Sequence, residues 1–109
     1  MNDGKEVHIY AEATVTVYRP NEIYHREDGP AYIIEYDSGN TFEVWYFNDE
    51  IHRYGGPAVV EDAKDHWYFV HGDDMTAVVA KWLEERSYVW ETMTDIEKWE
   101  LDLFMRTLG

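Results

Sequence analysis

The sequence predicts an α+β domain: an antiparallel β-meander of about five or six strands, built on a 27-residue hairpin repeat and followed by two C-terminal helices. Three observations predict it. Residues 24–31 read YHREDGPA and residues 51–58 read IHRYGGPA, two copies of one phrase 27 residues apart. Self-similarity at a fixed period is the mark of a repeated supersecondary unit. Apolar residues then alternate with period two through the first two-thirds of the chain, and near residue 73 the period becomes helical. Strands first and helices later give segregated layers. The 109 residues suffice for one domain with one core, residues 1–109, with a β-repeat region over 6–71 and a helical region over 73–108.

The elements follow in order. Every odd position from Val7 to Val17 is apolar, which predicts strand, with a bend or turn near Ala11–Ala13 because eleven residues exceed an ordinary strand. Arg19 to Pro30 is connection, since Pro20 and Pro30 cannot donate to a ladder. A strand over 31–36 leads through the turn Asp37-Ser38-Gly39-Asn40 into a strand over 41–47. Asn48 to Gly56 repeats the connection. Residues 57–61 and 65–71 form a second hairpin, shorter by five residues at its tip, and WYF at 45–47 and 67–69 marks equivalent outgoing strands. Asp73 or Asp74 is the expected N-cap of a first helix reaching about Trp90, with Val78, Val79, Trp82, Leu83 and Val89 on its apolar stripe. Thr94-Asp95-Ile96-Glu97 is a capping box. The second helix runs to about Leu108, with Ile96, Trp99, Leu103 and Phe104 expected on the inner face, and the two helices are expected to cover one face of the sheet.

Composition narrows function. Asp and Glu number 23 against nine Lys and Arg, a net charge of −14, beyond the roughly 2–8 that solubility asks of a small domain. Such a field repels nucleic acid and anionic membrane and attracts basic protein surfaces. Direct nucleic-acid or membrane binding is therefore not expected. The absence of Cys excludes disulfides and thiolate metal sites. The opening MNDGKEVHIYAEAT has no signal-like apolar run, which predicts a cytoplasmic protein.

Catalytic patterns are missing. Ser38 and Ser87 lie in no nucleophile elbow, and Gly55-Gly56 is followed by proline rather than by a phosphate-loop Lys. His66, His71, Asp73 and Asp74 match no strong zinc or calcium spacing. The expectation is a non-enzyme with no metal and no cofactor. The pairs His25-Arg26 and His52-Arg53 recur at equivalent places, so a structural role in restraining the connections is expected before anion binding or base catalysis. The acids remain as the expected partner-binding set: Glu27, Asp28, Asp49, Glu50, Glu61, Asp62, Asp65, Asp73 and Asp74.

HREDGPA and IHRYGGPA, joined by WYFNDEIHR, resemble a hairpin repeat of bacteriophage and bacterial proteins, similar to MORN-like repeats, over about residues 17–74. In that repeat the position of Asp49 favours Gly. The resemblance implies stacked short hairpins and a bacterial host, and it carries no site residues. By charge, the chain also resembles acidic anti-CRISPR and anti-restriction mimics of nucleic acid. That likeness implies a partner that is a basic nucleic-acid-binding host protein, a CRISPR effector being the first candidate. The alternative is a repeat-based interaction module, an antitoxin or assembly factor, that uses an exposed aromatic face.

Overall fold

The computed structural model describes residues 3–62 and 64–109. Its main feature is a six-stranded antiparallel sheet in meander order. In chain order the strands are β1 (Lys5–Ile9), β2 (Ala13–Tyr18), β3 (Tyr32–Tyr36), β4 (Thr41–Val44), β5 (Tyr46–Phe47), β6 (Glu50–Ile51), β7 (Val59–Glu61), β8 (Asp65–Trp67), β9 (Phe69–Val70) and β10 (Asp73–Asp74). The sheet is β1-β2-β3-β4-β7-β8, and β5-β6 and β9-β10 are small ladders of their own. Helices α1 (Thr76–Glu85) and α2 (Asp95–Arg106) follow.

The long alternating segment is a hairpin, not one strand. Tyr10, Ala11 and Glu12 turn it, and Lys5 pairs with Tyr18. The expected strand over 41–47 is broken at Trp45. Residues up to Val44 pair with Tyr32 and Val59, whereas Tyr46 and Phe47 turn away to pair with Ile51 and Glu50. The second hairpin is shorter by four residues rather than five: Ala31 donates its N–H to Val44, and the equivalent Ala58 donates to Trp67. The two WYF triplets are therefore one residue out of register. Trp45 corresponds to Tyr68, which the N–H bonds of His52 to Trp45 and Met75 to Tyr68 confirm. Ala63 lies outside the described residues.

A shared turn explains the repeat. Asn21-Glu22, Asn48-Asp49 and His71-Gly72 all have positive φ at both residues, the two-residue type I′ geometry that matches strand twist. Asn, Asp and Gly tolerate that region best. The φ of +67° at Asp49 is one that Gly adopts without strain. Asp49 also gains a bond that Gly lacks, because its Oδ1 accepts the N–H of Tyr24 at 2.7 Å. A third half-copy thus runs from Tyr68 to Met75, and there the repeat gives way to α1.

The core lies at that end. Tyr68, Val70, Val79, Trp82, Leu83, Met93, Leu101 and Met105 form one buried cluster. The expectation that the helices cover a sheet face is corrected. They pack against the last outgoing segment, Tyr68 and Val70, and close the end of the repeat. The inner face of α2 is corrected as well. Leu101 and Met105 are fully buried, whereas Ile96, Trp99 and Leu103 are 73%, 63% and 47% exposed. The apolar residues of α2 occupy two opposite faces, and sequence periodicity selected the outer one except at Phe104, which packs against the core and stacks on Trp82 with ring centroids 5.1 Å apart. In α1, Val79, Trp82 and Leu83 are buried, but Val78 is exposed, and Val89 is exposed beyond a helix that ends at Glu85 rather than near Trp90. The N-cap is Met75 rather than Asp73 or Asp74, although Asp74 Oδ1 still accepts the N–H of Thr76 at 2.9 Å. The Thr94 capping box is present, with Glu97 N–H donating to Thr94 Oγ1 and Thr94 N–H to Glu97 Oε1.

Candidate functional site

The His-Arg pairs build two matching cradles along the connection end of the strands. Arg26 lies 4.1 Å from the Tyr18 ring centroid, and Arg53 lies 3.8 Å from that of Trp45. Each guanidinium donates through Nη1 to a proline carbonyl, Pro30 or Pro57, at 3.1 Å. The opposite wall of each slot is glycine backbone. A Cβ at Gly29 or Gly56 would sit 2.7 Å from the Cζ of Arg26 or Arg53. Each histidine then holds the next turn, since His25 Nδ1 accepts the N–H of Asn48 (3.1 Å) and His52 Nδ1 accepts that of His71 (2.9 Å). Ala31 and Ala58 are fully buried at the strand starts. Each letter of the phrase HRxxGPA thus has a structural function, with one side chain ordering the backbone of the next copy.

The second cradle opens into a cleft of about 600 Å³ that includes Trp45, Phe47, His52, Arg53, Asp102 and Arg106. Its walls carry a titratable cluster. The His52 and His71 rings stack at 4.1 Å, Tyr54 Oη lies 3.4 Å from His71 Nε2, and Glu50 lies 3.4 Å from His71 Nδ1. Arg106 pairs with Asp102 one helical turn away and stands over the Tyr54 ring. Burial, then the neighbouring His71, lowers the pKa of His52. That agrees with an Nδ1 that must stay unprotonated to accept a backbone N–H. Desolvation lowers Arg53 to about 10, so it remains cationic at neutral pH. The cations here are held by rings, carbonyls or carboxylates, and the bases face no Ser, Thr or Cys nucleophile among the cleft residues. The cleft is chemically suited to holding the repeat together.

No family model, curated protein or solved structure matches this chain.

The structure divides the expected partner-binding acids between the two ends of the strands. Glu27, Asp28, Asp49, Glu50, Asp73 and Asp74 belong to the connections and are exposed. Several also have internal partners: Asp28 pairs with Arg26 at 3.1 Å, Glu50 with His71, Asp49 with Tyr24 and Asp74 with Thr76. Glu61, Asp62 and Asp65 sit at the opposite end, at the tip of the β7–β8 hairpin. Glu61 and Asp65 are exposed, but Asp62 is half-buried at φ +55°, and its Oδ1 accepts the N–H of Thr41 at 3.1 Å. His66 and His71 are not brought together, since His66 on β8 faces Glu91 and His71 faces His52. Among the described residues no group of three His, Asp or Glu is placed to hold a metal ion.

Sequence reasoning missed Tyr54, Asp102 and Arg106 as cleft residues. The i,i+4 spacing of Asp102 and Arg106 was a legible signal of a helix-surface pair, but not of what that pair would face. It also assigned the outer stripe of α2 to the core. Ile96, Trp99 and Leu103 recur at i, i+3 and i+7 and point away from Leu101 and Met105.

Proposed function

We propose that this is a non-enzymatic acidic protein that binds a basic nucleic-acid-binding protein of a bacterial host, a CRISPR effector being the first candidate, and inhibits it by occupying its nucleic-acid groove. The observation that carries this reading is the density of carboxylate on ordered backbone. The three connections recur at every second strand, about 10 Å apart. Over the roughly 20 Å they span, they present Glu22, Glu27, Asp28, Asp49, Glu50, Asp73 and Asp74. A duplex carries about twelve charges in that length, one per 1.7 Å of axis. Seven fixed carboxylates against Arg19, Arg26 and Arg53 of the same connections leave a net of −4, about a third of that density, and type I′ turns and ring-stacked arginines hold them in place before any partner arrives. No helix among the described residues is long and apolar enough to cross a membrane.

The outer face of α2 favours a second reading, an apolar protein contact. Ile96, Trp99 and Leu103 form an exposed stripe at the spacing that helix-in-groove recognition uses. The exposed tryptophan of this surface, Trp99, lies on the helix, outside the repeat.

The experiment is capture of a partner from a bacterial host, followed by competition with duplex or guide nucleic acid on the purified partner. Groove occupancy predicts mutual exclusion and an affinity that falls steeply with salt. Asp73→Lys with Glu27→Lys, neither of which holds a backbone N–H in the fold, should weaken binding strongly. Binding indifferent to salt and to this pair, but lost with Trp99→Ala, would replace groove occupancy with the apolar contact.

A further inference from the structure

The two edges of the six-stranded sheet are finished differently. Beyond β8 the chain is closed by its helices. Tyr68 N–H, whose counterparts Tyr18 and Trp45 donate to the carbonyls of Ala31 and Ala58 in an arriving strand, donates instead to Thr76 Oγ1 at 3.0 Å. At the other edge, among the described residues, β1 pairs with β2 alone. The ladder fixes which groups it uses. Arg19 N–H donates to Gly4 and Tyr10 N–H to Ala13, and antiparallel pairing alternates. Glu6 and His8 therefore turn their N–H and C=O toward β2, and Lys5, Val7 and Ile9 turn theirs outward. Of these, Lys5 N–H is taken by the carboxylate of Asp3 at 3.1 Å. The side chains along this edge are uncovered: Val7 is 51% exposed, Ile9 83% and the adjoining Tyr10 61%. An open edge with apolar side chains is a template for another strand.

The geometry points to β1 as a self-pairing edge through which two copies of this chain form an antiparallel dimer, joining their sheets across a two-fold axis at Val7. The register specifies itself. Centred on Val7, each Glu6 stands opposite His8 of the second copy, the outward N–H and C=O of Val7 meet those of its counterpart, and the N–H of Ile9 meets the C=O of Lys5. Glu6 and His8 then occupy the closer, non-hydrogen-bonded pairs, where opposite polarity stabilises. A slip of two residues one way sets Glu6 against Glu6, and the other way His8 against His8, so neighbouring registers are disfavoured. Charge selects the same surface. Residues 1–26 hold Asp3, Glu6, Glu12 and Glu22 against Lys5, Arg19 and Arg26, a net of −1 out of −14. Two copies meeting at β1 keep their strongly acidic remainders apart.

The test is the mass of the full chain by sedimentation velocity and light scattering, from about 1 µM to about 1 mM. The expected result is a rise from the monomer mass of 13.0 kDa toward twice that value, with amide exchange at Val7 and Ile9 slowing as concentration rises. Ile9→Pro removes an outward N–H and leaves the β1–β2 ladder intact, since Pro is tolerated on an edge. It should weaken association about tenfold or more. His8→Glu, which sets like charges opposite Glu6, should weaken it, and His8→Lys should preserve it. Should Ile9→Pro disturb the monomer by circular dichroism, Val7→Lys at an exposed position serves as the second block. Ile96→Lys on α2 should leave the dimer unchanged. A monomer at the highest concentration overturns the proposal, as does a dimer that survives both β1 variants or dissociates with Ile96→Lys.

Discussion

Gly56→Ala isolates the element on which the repeat depends. A Cβ at Gly56 would stand 2.7 Å from Cζ of Arg53 and 2.9 Å from Nε and Nη1, well inside the contact limit. The guanidinium cannot retreat within its slot, because the Trp45 ring lies 3.8 Å away on the far side and Pro57 O fixes its tip. Arg53 must leave. The hydrogen bond from a charged group contributes about 1.5–3 kcal/mol and the cation–π contact about 0.5–2 kcal/mol. The φ of Gly56 lies outside the left-handed region, so alanine regains about 0.4–1 kcal/mol through the unfolded chain. The net expectation is a loss of about 1.5–4 kcal/mol. In an Arg53→Ala background the clash is absent, and Gly56→Ala should be neutral or stabilising by about 0.4–1 kcal/mol. Urea unfolding of the four proteins of this double-mutant cycle measures the coupling. Equal destabilisation by Gly56→Ala in both backgrounds would refute the slot. Gly29→Ala should act in the same direction but less strongly, because Arg26 stands opposite the more open Tyr18 cradle, without the second tryptophan, Trp90, that lies 5.5 Å from Arg53.

Other outcomes follow from single contacts. The pKa of His52 is lowered in the fold from its ordinary 6.5 by burial and by His71. Below pH 6.5 the unfolded chain binds a proton there that the folded chain does not, so stability falls as pH falls from about 6.5 to the lowered value. His52→Gln should flatten that part of the curve, as followed by urea midpoints between pH 8 and pH 5. Thr94→Ala removes the side-chain half of the capping box and should cost about 1 kcal/mol, read from thermal melts, with Thr94→Ser close to unchanged. Asp49→Gly exchanges the bond to Tyr24 N–H for relief at φ +67°. Tyr24 amide exchange should quicken while global stability changes little.

The repeat was legible because its constraints are local. Gly29 and Gly56 recur for the width of a guanidinium slot, Asn21 and Asn48 for the φ of a type I′ turn, and Ala31 and Ala58 for a fully buried start of strand. Each depends on neighbours a few residues away, so two copies of the phrase suffice to reveal it. The faces of α2 were not legible. Ile96, Trp99 and Leu103 have the helical period of a core stripe, and so do Leu101, Phe104 and Met105. Choosing between them requires the position of Tyr68 and Val70, about thirty residues away in sequence. The register of the second outgoing strand failed for a related reason. WYF at 67–69 copies the letters of 45–47, but hydrogen bonding from Ala58 to Trp67 assigns the place of Val44 to Trp67. The His-Arg cradles were read from sequence as structural, and the cleft beside them is made only when Asp102 and Arg106 arrive from α2. The division of the acids between opposite ends of the strands was implicit in the expected connections and hairpin tip, and the β7–β8 register bears it out.

A repeat needs an end, and in this chain the end is chemical. Met75 and Thr76 stand where a third His-Arg pair would stand, since Met75 N–H donates to Tyr68 as His52 donates to Trp45. Without a third arriving strand, the N–H of Tyr68 would lose its acceptor in a residue only 4% exposed. The hydroxyl of Thr76, the first residue of α1, accepts it at 3.0 Å. Thr76→Val keeps the shape and the helix propensity while removing the oxygen. A buried donor left unpaired costs about 1–3 kcal/mol, so Thr76→Val should lower stability by that amount, and Thr76→Ser should retain most of it. Amide exchange at Tyr68 gives the local readout, protected with Thr or Ser and exposed with Val. If Val and Ser variants unfold at the same urea concentration with equal Tyr68 protection, the hydroxyl is not what closes the sheet, and the helices end the repeat by packing alone.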